Sequence, residues 1–115
     1  MYFVDEEHKK AFQDLAQHHG KEGDYLAAYY ILTSDQALRN ISLPHIDGGG
    51  NFTWSAIQKK FKNLGSTHNR IAKLAYHLYG SNGTVDLTLI LQSCDREMVS
   101  IIQQAIGVWC FKTKE

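Results

Sequence analysis

The sequence predicts an all-α protein, a compact bundle of about six or seven short helices that contains an αα-hairpin over residues 53–80. Three observations carry that prediction. Apolar residues recur at spacings of three and four along most segments, which places them on one face of a helix. Capping side chains stand just ahead of those segments, as at Asp5, Thr53 and Asp95. The strongest breakers, the single proline and a triple glycine, fall together between residues 44 and 50. With 115 residues and 43% hydrophobic content, the chain makes one domain, large enough to bury a core and too small for two enzyme lobes.

The first helix starts at its N-cap Asp5, has Glu6 and Glu7 at the positive end of its dipole, and stops at Gly20. Phe12, Leu15 and Ala16 share its face, and His18 and His19 lie in its last turn. Residues 24–32 are apolar nearly all round, so they form the buried central helix. Thr33-Ser-Asp-Gln36 fits a capping box that opens a short third helix through Leu38 and Ile41. Ser42 to Asn51 cannot sustain a helix and reads as a mobile loop, the natural hinge or insertion point. Thr53 caps the next helix, with Trp54, Ile57, Phe61 and Leu64 on one face and Lys59, Lys60 and Lys62 mostly toward solvent; Gly65 ends it as a C′ residue. Ser66 or Thr67 caps its partner, which buries Ile71, Leu74, Ala75 and Leu78 before Gly80. Residues 85–92 fit both periods; a short helix capped by Asp86 is preferred because a single strand would have nothing to pair with. Asp95 caps the last helix, where Met98, Ile101, Ile102, Ala105 and Trp109 form a stripe that Gly107 weakens near its end.

Catalytic and metal chemistry find little footing. The six histidines include no H-x-x-x-H pair and no C-x-x-C accompanies them, so they read as surface or capping residues and no metal site is assigned. Cys94, just ahead of the Asp95 cap, is the one cysteine near a helix N-terminus, and an enzyme would have to rest on it; Cys110 reads as packed. Gly48-Gly49-Gly50 lacks the Lys-Ser/Thr of a phosphate loop. Placing Gly83 at the sixth position of a calcium loop puts Leu78, Gly80 and Leu89 where oxygen ligands belong, so calcium fails as well. The expectation is a non-enzyme without cofactor. Apolar runs are far shorter than a membrane helix needs, and the opening is acidic where a leader would be basic, so the expected location is the cytoplasm, with both cysteines as free thiols.

Charge is uneven although the net charge is zero. Residues 1–47 carry four basic and eight acidic side chains, residues 48–85 five basic and no acidic ones. The basic hairpin has traits of a helix-turn-helix, with Gly65 in the turn and Ile71 and Leu74 in its second helix, which would offer His68, Asn69, Arg70 and Lys73 to DNA. It departs from the motif at Phe61, where a small residue belongs, and at Lys60, where an apolar one does. The candidate binding residues are Lys59, Lys60, Lys62, Arg70 and Lys73, for a protein partner first and for nucleic acid as the alternative. Opposite patches of this kind also permit a homodimer.

Tyr2-Phe-Val-Asp-Glu-Glu-His8, Ala27-Ala-Tyr-Tyr-Ile-Leu32, Ala72-Lys-Leu-Ala75 with Leu78-Tyr-Gly80, and Asp95-Arg-Glu97 with Ile102-Gln-Gln-Ala-Ile106 occur in that order along nearly the whole chain. Together they resemble a family of small uncharacterised proteins, a domain of unknown function found in Gram-positive Firmicutes, their prophages and mobile islands. The short glycine-rich loop ahead of Trp54 stands where relatives carry a longer, more acidic insertion. The resemblance transfers no catalytic residue. It implies a phage or prophage accessory protein that acts by binding in a bacterial cytoplasm.

Overall fold

The computed structural model describes residues 1–112, and among them the chain forms seven α-helices: α1 (Glu6–Ala16), α2 (Gly23–Leu32), α3 (Gln36–Ser42), α4 (Trp54–Lys60), α5 (Ser66–Leu78), α6 (Leu87–Gln92) and α7 (Arg96–Phe111). Short 3-10 turns follow α3 at Leu43–His45 and α4 at Phe61–Asn63. Every residue from Leu26 to Ser34 is buried, and α2 packs against α7, α5, α1 and α3. An all-round apolar helix has no face to spare for water, so it takes the centre. Removing Leu26, Ile31 and Leu32 from water contributes about 1.5–3 kcal/mol each.

The ends of the helices show which caps operate. Asp5, Asp86 and Asp95 accept the amides of His8, Leu89 and Met98 at 2.8, 3.0 and 2.9 Å. The third helix departs from expectation, because its cap is Asp35, which accepts from Ala37 and Leu38, and not Thr33. Thr33 and Ser34 turn their hydroxyls back to the Tyr29 and Ile31 carbonyls and close α2, so neither is available to open α3. Gly65 is likewise not a C′ residue: its φ of −62° and ψ of 161° are extended, and it serves as the N-cap of α5 in place of Ser66 or Thr67. The 3-10 turn at Phe61–Asn63 has already ended the preceding helix, leaving no left-handed position to fill. The hairpin is closed by Trp54, at the start of α4, lying 4.9 Å from the Tyr76 ring near the end of α5. Residues 87–92 are helical, and the Asp86 carboxylate is what starts them. Gly107 does not stop α7, which runs to Phe111.

The segment expected as a mobile loop is tied down. Ile46 and Phe52 form an antiparallel bridge, and the Asp47 carboxylate accepts the amides of Gly49 and Asn51 at 2.9 and 3.0 Å. Those amides hold the Asp47 carboxyl below its ordinary pKa, because they favour the charged form. Gly50 has a φ of +79°, and a Cβ there would lie 2.6 Å from the Tyr29 hydroxyl and 2.7 Å from His18 Cβ; the same hydroxyl donates to the Gly50 carbonyl. Gly50 therefore serves close approach to α2, a role that composition alone reads as flexibility. Among the described residues no helix is long and apolar enough to cross a membrane.

Candidate functional site

The five cations of residues 48–85 divide between two clefts. Lys59, Lys60 and Lys62 are exposed and border a cleft of about 310 Å³ with His45, Ser55, Ala56 and Asn63. Arg70 and Lys73 border a larger one, about 510 Å³, between α5 and the stretch Thr84–Ile90. Its apolar lining is Leu64, Val85, Leu89 and Ile90; its polar lining is Ser66, Asn69, Thr84 and Asp86.

Two of the side chains that a DNA-reading helix would offer are already engaged. His68 Nε2 lies 3.3 Å from an Asp35 carboxylate oxygen, and the Asn69 side-chain amide donates to the Phe61 carbonyl at 2.9 Å. Both contacts hold the start of α5 to its neighbours. Arg70 and Lys73 have no ion pair or hydrogen bond among the described residues. Asp86, the carboxylate that shares their cleft, is turned to the Leu89 amide as the α6 cap. Helix α6 buries only Ile90 and leaves Leu87, Leu89 and Leu91 46, 42 and 42% exposed. Of the three, Leu89 lines the cleft, and Leu87 and Leu91, two positions away on the helix, do not share its face.

One histidine and one cysteine occupy other positions than their spacing implied. His8 is fully buried, not a surface or capping residue: its Nδ1 accepts the Val4 amide at 3.1 Å and its Nε2 donates to the Tyr30 carbonyl at 2.9 Å. Burial lowers its pKa, outweighing the Tyr30 carbonyl and then Asp5, which act to raise it, while the Arg39 charge adds a smaller lowering. His19 stacks on Tyr25 with centroids 3.7 Å apart, and His77 Nδ1 lies 3.1 and 3.0 Å from the Asn82 and Gly83 carbonyls. Among the described residues no three His, Cys, Asp or Glu side chains gather where a metal would be held. Cys94 is half-buried and donates to the Ile90 carbonyl; burial and then the Asp95 charge push its thiol pKa up, away from the thiolate a nucleophile needs. Cys110 is exposed rather than packed, since it falls outside the stripe that α7 turns to the core. Trp109, at the end of that stripe, remains 43% exposed and donates its indole N–H to the Leu78 carbonyl at 2.8 Å.

One constellation had no signal in the spacing. Tyr25, Tyr29, Phe52, Trp54 and Tyr79 form a continuous ring cluster with neighbouring centroids 4.5 to 5.9 Å apart. It joins α2, the glycine segment, α4 and the end of α5, and the Tyr79 hydroxyl donates to that of Tyr25 at 3.2 Å. The cluster holds the glycine segment against the bundle, so its role is packing.

Set beside known protein families, characterised proteins and solved structures, the chain matches none of them.

Proposed function

We propose that this protein is a non-enzymatic accessory protein of the phage and prophage type, acting in the bacterial cytoplasm by binding another protein through the cleft between α5 and α6. The observation that carries the reading is the exposed Leu89, which with Leu64, Val85 and Ile90 lines the same cleft as the unpaired Arg70 and Lys73. Contiguous apolar surface with a charged rim is what a protein interface requires, because the partner removes the apolar area from water while the rim sets orientation. The sequence resemblance supplies the cellular setting. Affinity capture from a Gram-positive host lysate tests it, using the tagged wild type and Leu89→Glu, each with and without nuclease. The expected result is a protein that survives nuclease and is lost with Leu89→Glu; capture that vanishes with nuclease overturns the reading.

Nucleic-acid binding through Lys59, Lys60, Lys62, Arg70 and Lys73 is the second reading, favoured by the three lysines that border one cleft with no carboxylate in its lining. It predicts an affinity that falls steeply with salt and disappears on charge reversal of Lys59, Lys60 and Lys62. Engagement of His68 and Asn69 inside the fold weighs against it.

A further inference from the structure

We propose that the occupant of the α5–α6 cleft is an acidic amphipathic helix of the partner protein, an inference that rests on the protein-binding reading above. A partner segment can add to a domain as a strand, as a polyproline turn on an aromatic groove, or as a helix whose apolar face fills a groove. Among the described residues the only β feature is the isolated Ile46–Phe52 bridge, so no sheet edge is offered. The cleft is not aromatic either: Leu64, Val85, Leu89 and Ile90 supply its apolar lining. What it offers is an aliphatic floor between two helices, with about 510 Å³ of space. That volume suits the few large side chains that a helix projects from one face, whereas the body of the helix stays outside.

Charge decides the sign of the partner. Arg70 and Lys73 are one turn apart on α5, so both stand along the same side of the floor. The Asp86 carboxylate caps α6 and keeps its charge, so the lining carries two cations against one anion, and the anion's acceptor is turned to the Leu89 amide. Glutamate or aspartate beside the apolar anchors would meet both cations, and like charges would be rejected. A polyanion such as DNA would satisfy the cations and leave the leucine floor uncovered, which gives it no advantage here.

A display library of random helical peptides, about 16 residues and therefore about four turns long, selected on the immobilised full chain, tests the assignment. Enriched peptides are expected to carry Leu, Ile or Phe at i, i+3 or i+4, and i+7, flanked by Asp or Glu. They are expected to lose affinity about tenfold or more with Leu89→Glu and with the doubly reversed Arg70→Glu/Lys73→Glu chain. Lys73→Glu alone, at an exposed position, provides the same test should Leu89→Glu fail to fold. Enriched peptides without acidic residues, binding indifferent to these changes, or a concentration-dependent dimer dissolved by Lys73→Glu would each overturn the assignment. Absence of enrichment overturns it too; if nuclease-resistant capture still depends on Leu89, only the occupant falls, and if capture ignores Leu89 the binding reading falls with it.

Discussion

At the scale of the residue, His8 is the side chain on which most depends. Both ring nitrogens are used, one accepting and one donating, so the ring is neutral with its proton on Nε2. A second proton on Nδ1 would face the Val4 N–H and remove that bond. Tyr30, Asp5 and Arg39 are the groups that face the ring, and burial outweighs the first two in lowering its pKa below the ordinary 6.5. The unfolded chain therefore binds the proton more readily than the folded one. Stability from this group is complete above about pH 6.5 and is lost as the pH falls from there toward the lowered folded value. Urea titrations between pH 8 and 5 should show that decline in the wild type and a smaller one in His8→Gln, which does not titrate; equal slopes would remove His8 as the cause. His8→Ala should cost about 2–4 kcal/mol, from the cavity and the orphaned Val4 amide together. Cys94 and Cys110 give a simpler test: Cys110 should react with a thiol reagent well ahead of Cys94, because one is exposed and the other is half-buried with a raised pKa.

At the scale of the element, two glycines in helices predict opposite outcomes. A Cβ at Gly23 would overlap the Trp109 carbonyl, where the start of α2 meets the end of α7. The nearest atom to a Cβ at Gly107 would be the Gln104 side-chain amide, 4.0 Å away. Gly23→Ala should therefore destabilise by about 1–3 kcal/mol in spite of alanine's higher helix propensity. Gly107→Ala should stabilise by about 0.5–1 kcal/mol, and denaturant midpoints at constant m-value would settle both signs. Helix α6 is short and buries one side chain, so its cap carries an unusual share of its stability. Asp86→Ala is expected to cost about 1 kcal/mol and to raise amide exchange over residues 87–92 while α7 stays protected. Retained protection in α6 would show that packing of Ile90 alone holds it.

At the scale of the whole molecule, the radius of gyration of 12.6 Å is that of a close-packed chain of this length. The N-terminal segment completes the packing: the Tyr2 amide donates to Gln104 at 2.8 Å, its carbonyl accepts the Tyr30 hydroxyl at 2.6 Å, and Phe3 packs on His8, Phe12 and Tyr30. Removing residues 1–4 should lower the thermal midpoint clearly, since it uncovers His8 and Phe12 near the central helix; an unchanged melt would make the segment a passive tail. By contrast, reversing Lys59, Lys60 and Lys62 should leave stability within about 0.5 kcal/mol per site, because all three are exposed and unpaired among the described residues. That separation between a sensitive terminus and tolerant lysines allows binding variants to be read without confusing lost affinity with lost fold.

Helix number, order and most faces were legible in the sequence, because a helix is closed by contacts between residues no more than four apart and its caps lie within the same turn. Asp5, Asp86 and Asp95 cap as their positions imply, and the all-round apolarity of residues 24–32 announced the centre of the bundle. The ambiguous stretch at 85–92 yielded to the want of a strand to pair with rather than to its period. Tertiary structure alone decided which distant residues meet. It placed His8 beneath the N-terminal segment, assembled an aromatic cluster from four elements, and pinned the glycine loop to Tyr29. It also put Arg70 and Lys73 in one cleft with Leu89 of α6 and gave Lys59, Lys60 and Lys62 to another. Spacing encodes the direction of a side chain around its own axis, but the relative placement of two axes follows from the packing of all seven helices at once.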